Sequence, residues 1–448
     1  AATCAPIAYA LVNGNRGVAG RDAAVSVFRA DAEVPRGSRD AVDVVADRGG
    51  VPFRKRHEFE RVFWCARERS ASEEDAAPEG DETSLRRVAA EVSAPMAFAA
   101  RAGTDATLFV CGGRASGTTS AADAVAAALA ARVLATASAR NERLEYLEAL
   151  AEKNRFRETP SAPRDSPRDS PSASRYSTRV VCRFAAYQTR GLVADDLLAG
   201  HAGARGLRVR PATHSSDASA GLAYEVEGLS KIEVTSLSHA RRLLEACRSR
   251  RRDARGQRAR GQSVDKASRP DAFACEWWLE TVTEITSAAF GVRSRVSRSA
   301  RARVVDVYGD AANDAGDANN VFSQNAPAFA LAQCASARAS ALSLSSGVGD
   351  WRQSALTKLS KAPLTMRGGL VSVLVTMGVA SAEAESAETA LRFAGAVRGL
   401  ERFSKKSPGP GVFFARTERA VETSRRERLE TKLAATRAEA RRGGVRDP

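Results

Sequence analysis

The chain has 448 residues, enough for one large core or two to three ordinary domains. Its 68 Lys and Arg outweigh 53 Asp and Glu, and the resulting formal net charge of +15 favours polyanionic partners: nucleic acid, anionic lipid or an acidic protein surface. No membrane span is expected, because the Ala-rich stretch from Ala121 to Ala137 carries Asp123 and Arg132 and falls short of the roughly 18 apolar residues a bilayer requires. The cysteines (Cys4, Cys65, Cys111, Cys182, Cys247, Cys275 and Cys334) are scattered without CxxC spacing, so reduced, buried thiols are expected rather than a metal site. The opening Ala1-Ala2-Thr3 fits a fragment or a processed form, and no signal-peptide pattern is present.

In chain order, Thr107 to Val110 predicts a short buried strand, followed at once by a glycine-containing turn. Val125, Leu129 and Val133 then recur every fourth residue, which lines one face of a helix. Glu158 to Ser177 holds the near-repeat Pro163-Arg164-Asp165-Ser166-Pro167-Arg168-Asp169-Ser170-Pro171, a composition with no core to offer, and is expected to be a flexible surface insertion. Strands are expected at Arg179 to Phe184, Arg303 to Val307 and Leu370 to Thr376, and helices at Ser238 to Cys247, Ala328 to Leu344 and Ala387 to Phe403. Arg248 to Lys266 is rich in arginine (Arg248, Arg250, Arg251, Arg252, Arg255, Arg258 and Arg260) and is expected to be a second flexible insertion. Its lack of aromatic residues disfavours base stacking and hence nucleic acid, while Trp277 and Trp278 sit in a strand-like run as core or sheet-face residues. Beyond about Ser404 a Pro408-Gly409-Pro410-Gly411 break precedes a charged helix from Ala415 to Arg442, solvated or weakly coiled-coil. Strands and helices in this alternation predict an α/β fold around a central sheet.

The turn after the first strand reads Gly112-Gly113-Arg114-Ala115-Ser116-Gly117-Thr118-Thr119. A phosphate loop needs two glycines with four residues between them, then Lys, then Ser or Thr, between a strand and a helix. The glycines let backbone N–H groups curl around phosphate, the lysine neutralises its charge, and the hydroxyl holds Mg²⁺. Both glycines and Thr119 are in place here, but Thr118 stands where the lysine belongs, so the loop by itself also reads as an ordinary turn.

Its flanks make a family nameable. Gly103-Thr104-Asp105-Ala106-Thr107-Leu108-Phe109-Val110-Cys111-Gly112 resembles the kinesin run Gly-Tyr-Asn-Ala-Thr-Ile-Phe-Ala-Tyr-Gly. Phe59-Glu60-Arg61-Val62-Phe63 resembles the Phe-Asp-x-Val-Phe strand upstream of it, and Phe184, Tyr187 and Asp196-Leu197-Leu198 resemble the family's Phe-Glu-Ile-Tyr-Asn-Glu…Asp-Leu-Leu element. Val226-Glu227-Gly228-Leu229 matches Val-x-Gly-Leu, and Asn325 with Phe329-Ala330-Leu331 sits where kinesins carry Asn-Lys-Ser-Leu-x-Ala-Leu. Trp351-Arg352-Gln353-Ser354-Ala355-Leu356-Thr357-Lys358-Leu359 is similar to Tyr-Arg-Asp-Ser-Lys-Leu-Thr-Arg-Leu, which opens a microtubule-facing helix. Thr389-Ala390-Leu391-Arg392-Phe393-Ala394 resembles the Ser-Thr-Leu-Arg-Phe-Ala of the last motor helix.

The resemblance implies a P-loop NTPase-like kinesin motor fold: a central mixed β-sheet flanked by helices on both faces, in a motor-like domain over residues 1–403 with a neck-like linker and charged helix over 404–448. It implies nucleotide binding by residues Gly112 to Thr119, Mg²⁺ held by Thr119 and Asp306, and ATP or ADP as the cofactor. Several pocket positions depart from the family. The first switch loop is reduced to Ser268-Arg269-Pro270, and the second reads Asp306-Val307-Tyr308-Gly309-Asp310-Ala311, with Ala311 at the glutamate that closes the site. Arg269, Asp306, Gly309 and Asp310 are therefore catalytic remnants, and loss of lysine and glutamate implies weak or absent turnover, since one preorganised donor is worth about 10²- to 10³-fold in rate. Tubulin contacts are expected from Arg352, Lys358, Arg250, Arg251 and Arg252, with other microtubule-associated proteins reached through the C-terminal helix. Two functions remain open: a structural or adaptor element on microtubules, for instance in an axoneme, or a divergent working motor using Arg114 and an Arg269–Asp310 closing pair.

Overall fold

The computed structural model describes residues 7–15, 25–28, 40–48, 51–67, 79–113, 116–157, 175–199, 205–212, 223–259, 270–286, 293–308, 326–341, 351–365, 369–378 and 387–401. The Glu158 to Ser177 insertion up to residue 174, the residues after 401, and Arg114, Arg269, Gly309, Asp310 and Asn325 lie outside the described residues.

The strands are β1 (Ile7–Asn15), β2 (Val25–Phe28), β3 (Asp40–Arg48), β4 (Val51–Phe59), β5 (Arg61–Arg67), β6 (Ala106–Gly112), β7 (Arg175–Arg190), β8 (Val193–Asp196), β9 (Leu207–Pro211), β10 (Tyr224–Val226), β11 (Ile232–Glu233), β12 (Ala272–Thr286), β13 (Arg293–Val307) and β14 (Leu370–Gly378). The helices are α1 (Glu79–Arg101), α2 (Thr118–Arg157), α3 (Leu237–Ala259), α4 (Ala326–Ala341), α5 (Ala355–Thr365) and α6 (Glu388–Glu401). Eleven strands form one mixed sheet in the order β10-β9-β8-β7-β12-β13-β6-β14-β1-β5, with β11 on β7, while β2, β3 and β4 form a separate antiparallel sheet. Parallel pairing from β13 through β6, β14 and β1 to β5 gives way to antiparallel pairing from β13 outward to β10.

The apolar run of β6 explains its central place. Period-two alternation sends Leu108 and Val110 to one face of the sheet and Phe109 and Cys111 to the other, and all four are buried, as a strand covered on both faces requires. Val304 and Val305 lie beside Leu108 and Phe109 in parallel register. On the Leu108 face the core is completed by α1, α2 and α3; on the Phe109 face, by α4, α5 and α6. The expected mixed sheet with helices on both faces is the observed architecture.

Three expectations change. Residues 118–147 of α2 do meet the length and composition of a membrane span, yet Ala121, Val125, Leu129 and Val133 pack on the sheet, so this apolar stretch is a core helix. The second expected insertion is instead helical as far as Ala259, because α3 runs on without a break through Arg248 to Arg258. Arginine is a good helix former, and Arg248 and Arg251 are neutralised by Asp123 on α2. The sheet also includes β1 and β5, and Phe59-Glu60-Arg61-Val62-Phe63 is two strands meeting at a bend rather than one. Cys111, Cys182, Cys247, Cys275 and Cys334 are buried free thiols, and burial pushes that of Cys111 up to about 12.

Candidate functional site

The glycine loop leaves the end of β6 and enters α2, so it lies at the C-terminal edge of the parallel strands, where open α/β sheets place their ligands. Gly112 has no room for a side chain, because a Cβ there would meet the hydroxyl and carbonyl of Thr376 on β14. Gly117 has φ of 82°, a left-handed conformation that a side chain would strain. Both glycines of the motif are thus required by the backbone path.

The loop's hydroxyls are drawn together. Ser116, buried, donates to the Gly113 carbonyl at 2.7 Å or shares its proton with Thr376, whose Oγ1 lies 2.7 Å from Ser116 Oγ. Thr118 Oγ1 lies 2.7 Å from the same Thr376 oxygen and 3.1 Å from Ser116 Oγ. At the position a lysine would fill, the chain has a short hydroxyl tied into a three-oxygen cluster that joins the loop to β14.

One helical position further, Thr119 donates to Asp306 Oδ2 at 3.1 Å, which unites the hydroxyl and carboxylate expected to serve Mg²⁺. Hard oxygen donors of these two kinds suit that ion, so the pair fits the cofactor even though the lysine is missing. Asp306 is wholly buried at the end of β13 and already meets a cation: Arg251 donates from Nη2 to Asp306 Oδ2 at 2.6 Å. The same guanidinium donates to Asp123 Oδ1 at 3.0 Å and to the Tyr308 hydroxyl at 3.1 Å, and its carbon lies 4.1 Å from the centre of the Phe273 ring. Burial by itself would lower the Arg251 pKa, but Tyr308, Asp306 and Asp123 together push it up, so the charge is firmly held.

This geometry corrects the expected role of the arginine run. Arg251 is only 3% exposed and cannot be a flexible contact to a track; Arg250 is half-buried and donates to the carbonyls of Leu197 and Ala199. Arg248 pairs with Asp123 at 3.0 Å, and Arg252 follows in the same helix. These partners lie on α2, on β13 and just after β8, so no local pattern in the arginine-rich stretch could have announced them.

The other expected contacts lie on or just before α5. Its first turn is fixed by reciprocal bonds, Thr357 N–H to Ser354 Oγ at 3.1 Å and Ser354 N–H to Thr357 Oγ1 at 3.0 Å, a capping-box arrangement with threonine in place of the usual acid. Arg352 is exposed, and Lys358 is partly exposed. Lys361, one turn beyond, joins Lys358 on the outer stripe; its three-residue spacing from Lys358 was the available signal. At the end of β8, Asp196 accepts from the N–H groups of Leu198, Ala199 and Ser230 and so fixes the turn that leaves the strand.

No family model and no curated protein matches the chain. Solved structures do. A structure described as a fast kinesin aligns with a TM-score of 0.53 at 13% identity, over 88% of this chain and 91% of its own. The C-terminal motor and motor homology domain of Kar3Vik1, fused to a synthetic heterodimeric coiled coil, aligns with a TM-score of 0.51 at 12% identity, over 87% and 84%. A KIF14 dimer in a two-heads-bound state, with AMP-PNP in complex with a microtubule, aligns with a TM-score of 0.51 at 16% identity, over 89% and 94%.

Proposed function

Since the chain has the kinesin motor domain fold, we propose that it is a microtubule-binding protein with an impaired ATPase, serving as a structural or adaptor component of a cytoplasmic microtubule assembly. The observation that carries this reading is the Thr118 hydroxyl, held 2.7 Å from Thr376 where a phosphate-binding lysine would stand. A hydroxyl supplies no charge to the β- and γ-phosphates, and the lysine's contribution to positioning and charge neutralisation is lost. The track-facing side fares better: α5 is capped and leaves Lys358 and Lys361 partly exposed, with Arg352 exposed just ahead of it. A formal charge of +15 adds long-range attraction to an acidic polymer. Axonemal placement and partners for residues 404–448 extend the same reading.

Nucleotide would be held by Gly112 to Thr119, with Mg²⁺ at Thr119 and Asp306, and Arg114, Arg269, Gly309 and Asp310 complete the set proposed for a working site. A second reading, an active divergent motor, is favoured by the 3.1 Å contact between Thr119 and Asp306, which keeps the metal-binding oxygens together. Microtubule-stimulated phosphate release separates the two: turnover at background supports the first, and robust stimulation supports the second.

A further inference from the structure

Arg303, on β13, is among the largest side chains to be completely buried, and its neighbours are unusually specific. Its Nε lies 2.7 Å from Glu276 Oε1 on β12, directly across the antiparallel ladder, and Tyr187 on β7 donates to that same carboxylate oxygen at 2.9 Å. Burial would raise the Glu276 pKa, but Arg303, then Arg301, Tyr187 and Lys231, outweigh it and hold the carboxyl below its ordinary range. The other end of the guanidinium leaves the sheet: Nη1 donates to the Leu359 carbonyl of α5 at 2.9 Å.

That carbonyl has a reason to need a donor. In an α-helix it would accept from the N–H four residues on, but residue 363 is proline, which has none. We propose that Arg303 is a positioning residue that supplies the donor Pro363 withholds and thereby fixes α5 to the β12–β13 pair. A buried ion pair adds little net stability over an apolar pair of similar size, so what the Glu276–Arg303 pair contributes is placement. The guanidinium suits it, because its planar span carries the charge beside the Glu276 carboxylate while Nη1, at the far end, donates to the Leu359 carbonyl, which a compact ammonium cannot do. The consequence for microtubules rests on the proposed function, in which α5 faces tubulin: the contact helix is then anchored by the sheet rather than left to move on its own proline-weakened turn.

Hydrogen exchange of the full chain, read by mass spectrometry in α5 and in β6 and β14 as internal standards, tests this directly. Arg303→Lys keeps the charge beside Glu276 but loses the second donor, and should speed exchange in α5 about tenfold while β6 and β14 stay unchanged. The pair Glu276→Leu with Arg303→Met, which leaves no lone buried charge, should do the same. Adding Pro363→Ala to either restores a helical donor and should return α5 to the native rate. Native exchange in α5 of Arg303→Lys, or failure of Pro363→Ala to rescue, overturns the proposal. Co-sedimentation of the same proteins with microtubules separates the two levels: if the native chain does not pellet, the tubulin reading fails while the exchange data still decide the anchoring.

Discussion

Arg251 and Asp306 sit 55 positions apart in the chain and 2.6 Å apart in space, both nearly devoid of solvent. Their contact joins α3 to the end of β13 directly beside the glycine loop, since Asp306 also accepts from Thr119. Replacing Arg251 with Met would leave the Asp306 and Asp123 carboxylates without their shared cation. The expected cost is about 3–5 kcal/mol, since breaking a buried pair from one side strands a charge. Urea unfolding checks it, and a loss below about 1 kcal/mol would mean that the guanidinium is not the main counter-charge.

Asp271 carries a pH dependence of definite sign. Burial raises its pKa from 3.8 to about 6, against the Gly191 N–H, which donates to it at 2.9 Å, and Arg190, both of which lower it. The folded state therefore binds this proton more tightly than the unfolded chain does. Its contribution to stability is present below about pH 4 and is lost as pH rises through about 6, by on the order of 3 kcal/mol. Asp271→Asn, which can still accept from Gly191, should stabilise the protein at pH 7 and flatten this part of the stability profile. Equal pH slopes for the two proteins in thermal melts between pH 4 and 7 would count against the assignment.

The three-oxygen cluster of Ser116, Thr118 and Thr376 marks the one position at which the proposed loss of nucleotide binding can be tested. Thr118→Lys should introduce binding of a fluorescent ATP analogue where the native protein shows little, and Thr376→Val should cost about 1 kcal/mol of stability without creating a nucleotide site. Matching titrations of native and Thr118→Lys proteins would indicate that the lysine position does not limit binding.

Much of this arrangement is legible in the amino-acid sequence. The apolar runs at Leu108, Val305 and Val373 have the length and β-branched character of buried strands, and they lie side by side in the sheet. The loop glycines and the Thr119 hydroxyl follow from spacing alone, whereas the meeting of Thr119 with Asp306, 187 positions away, takes the fold to produce. What composition conceals is the fate of charge. An arginine-rich stretch reads as solvated because local sequence does not reveal a counter-ion, yet Arg251 finds its partners on β13 and α2. Arg303 and Glu276 are hidden for the same reason, as is the link to a proline-broken helix. β1 and α1 escape because the run from Ile7 to Val12 is apolar without a break, which a buried helix segment shares, and α1 contains Pro95, which reads as a helix breaker.

Charge reversal on the outer stripe of α5 should weaken microtubule binding without unfolding the protein. Lys358→Glu with Lys361→Glu is expected to raise the Kd at least about tenfold at low ionic strength, and added salt should weaken the native interaction in the same direction. Unchanged binding would move the contact surface away from α5.

Co-sedimentation of the native chain with microtubules at low salt, run in parallel with and without ATP and Mg²⁺, bears most directly on the central reading. The protein should pellet to the same extent in both, because a loop with Thr118 in place of lysine gives nucleotide little hold on the fold. Failure to pellet, or release from the microtubule on addition of ATP, would contradict it.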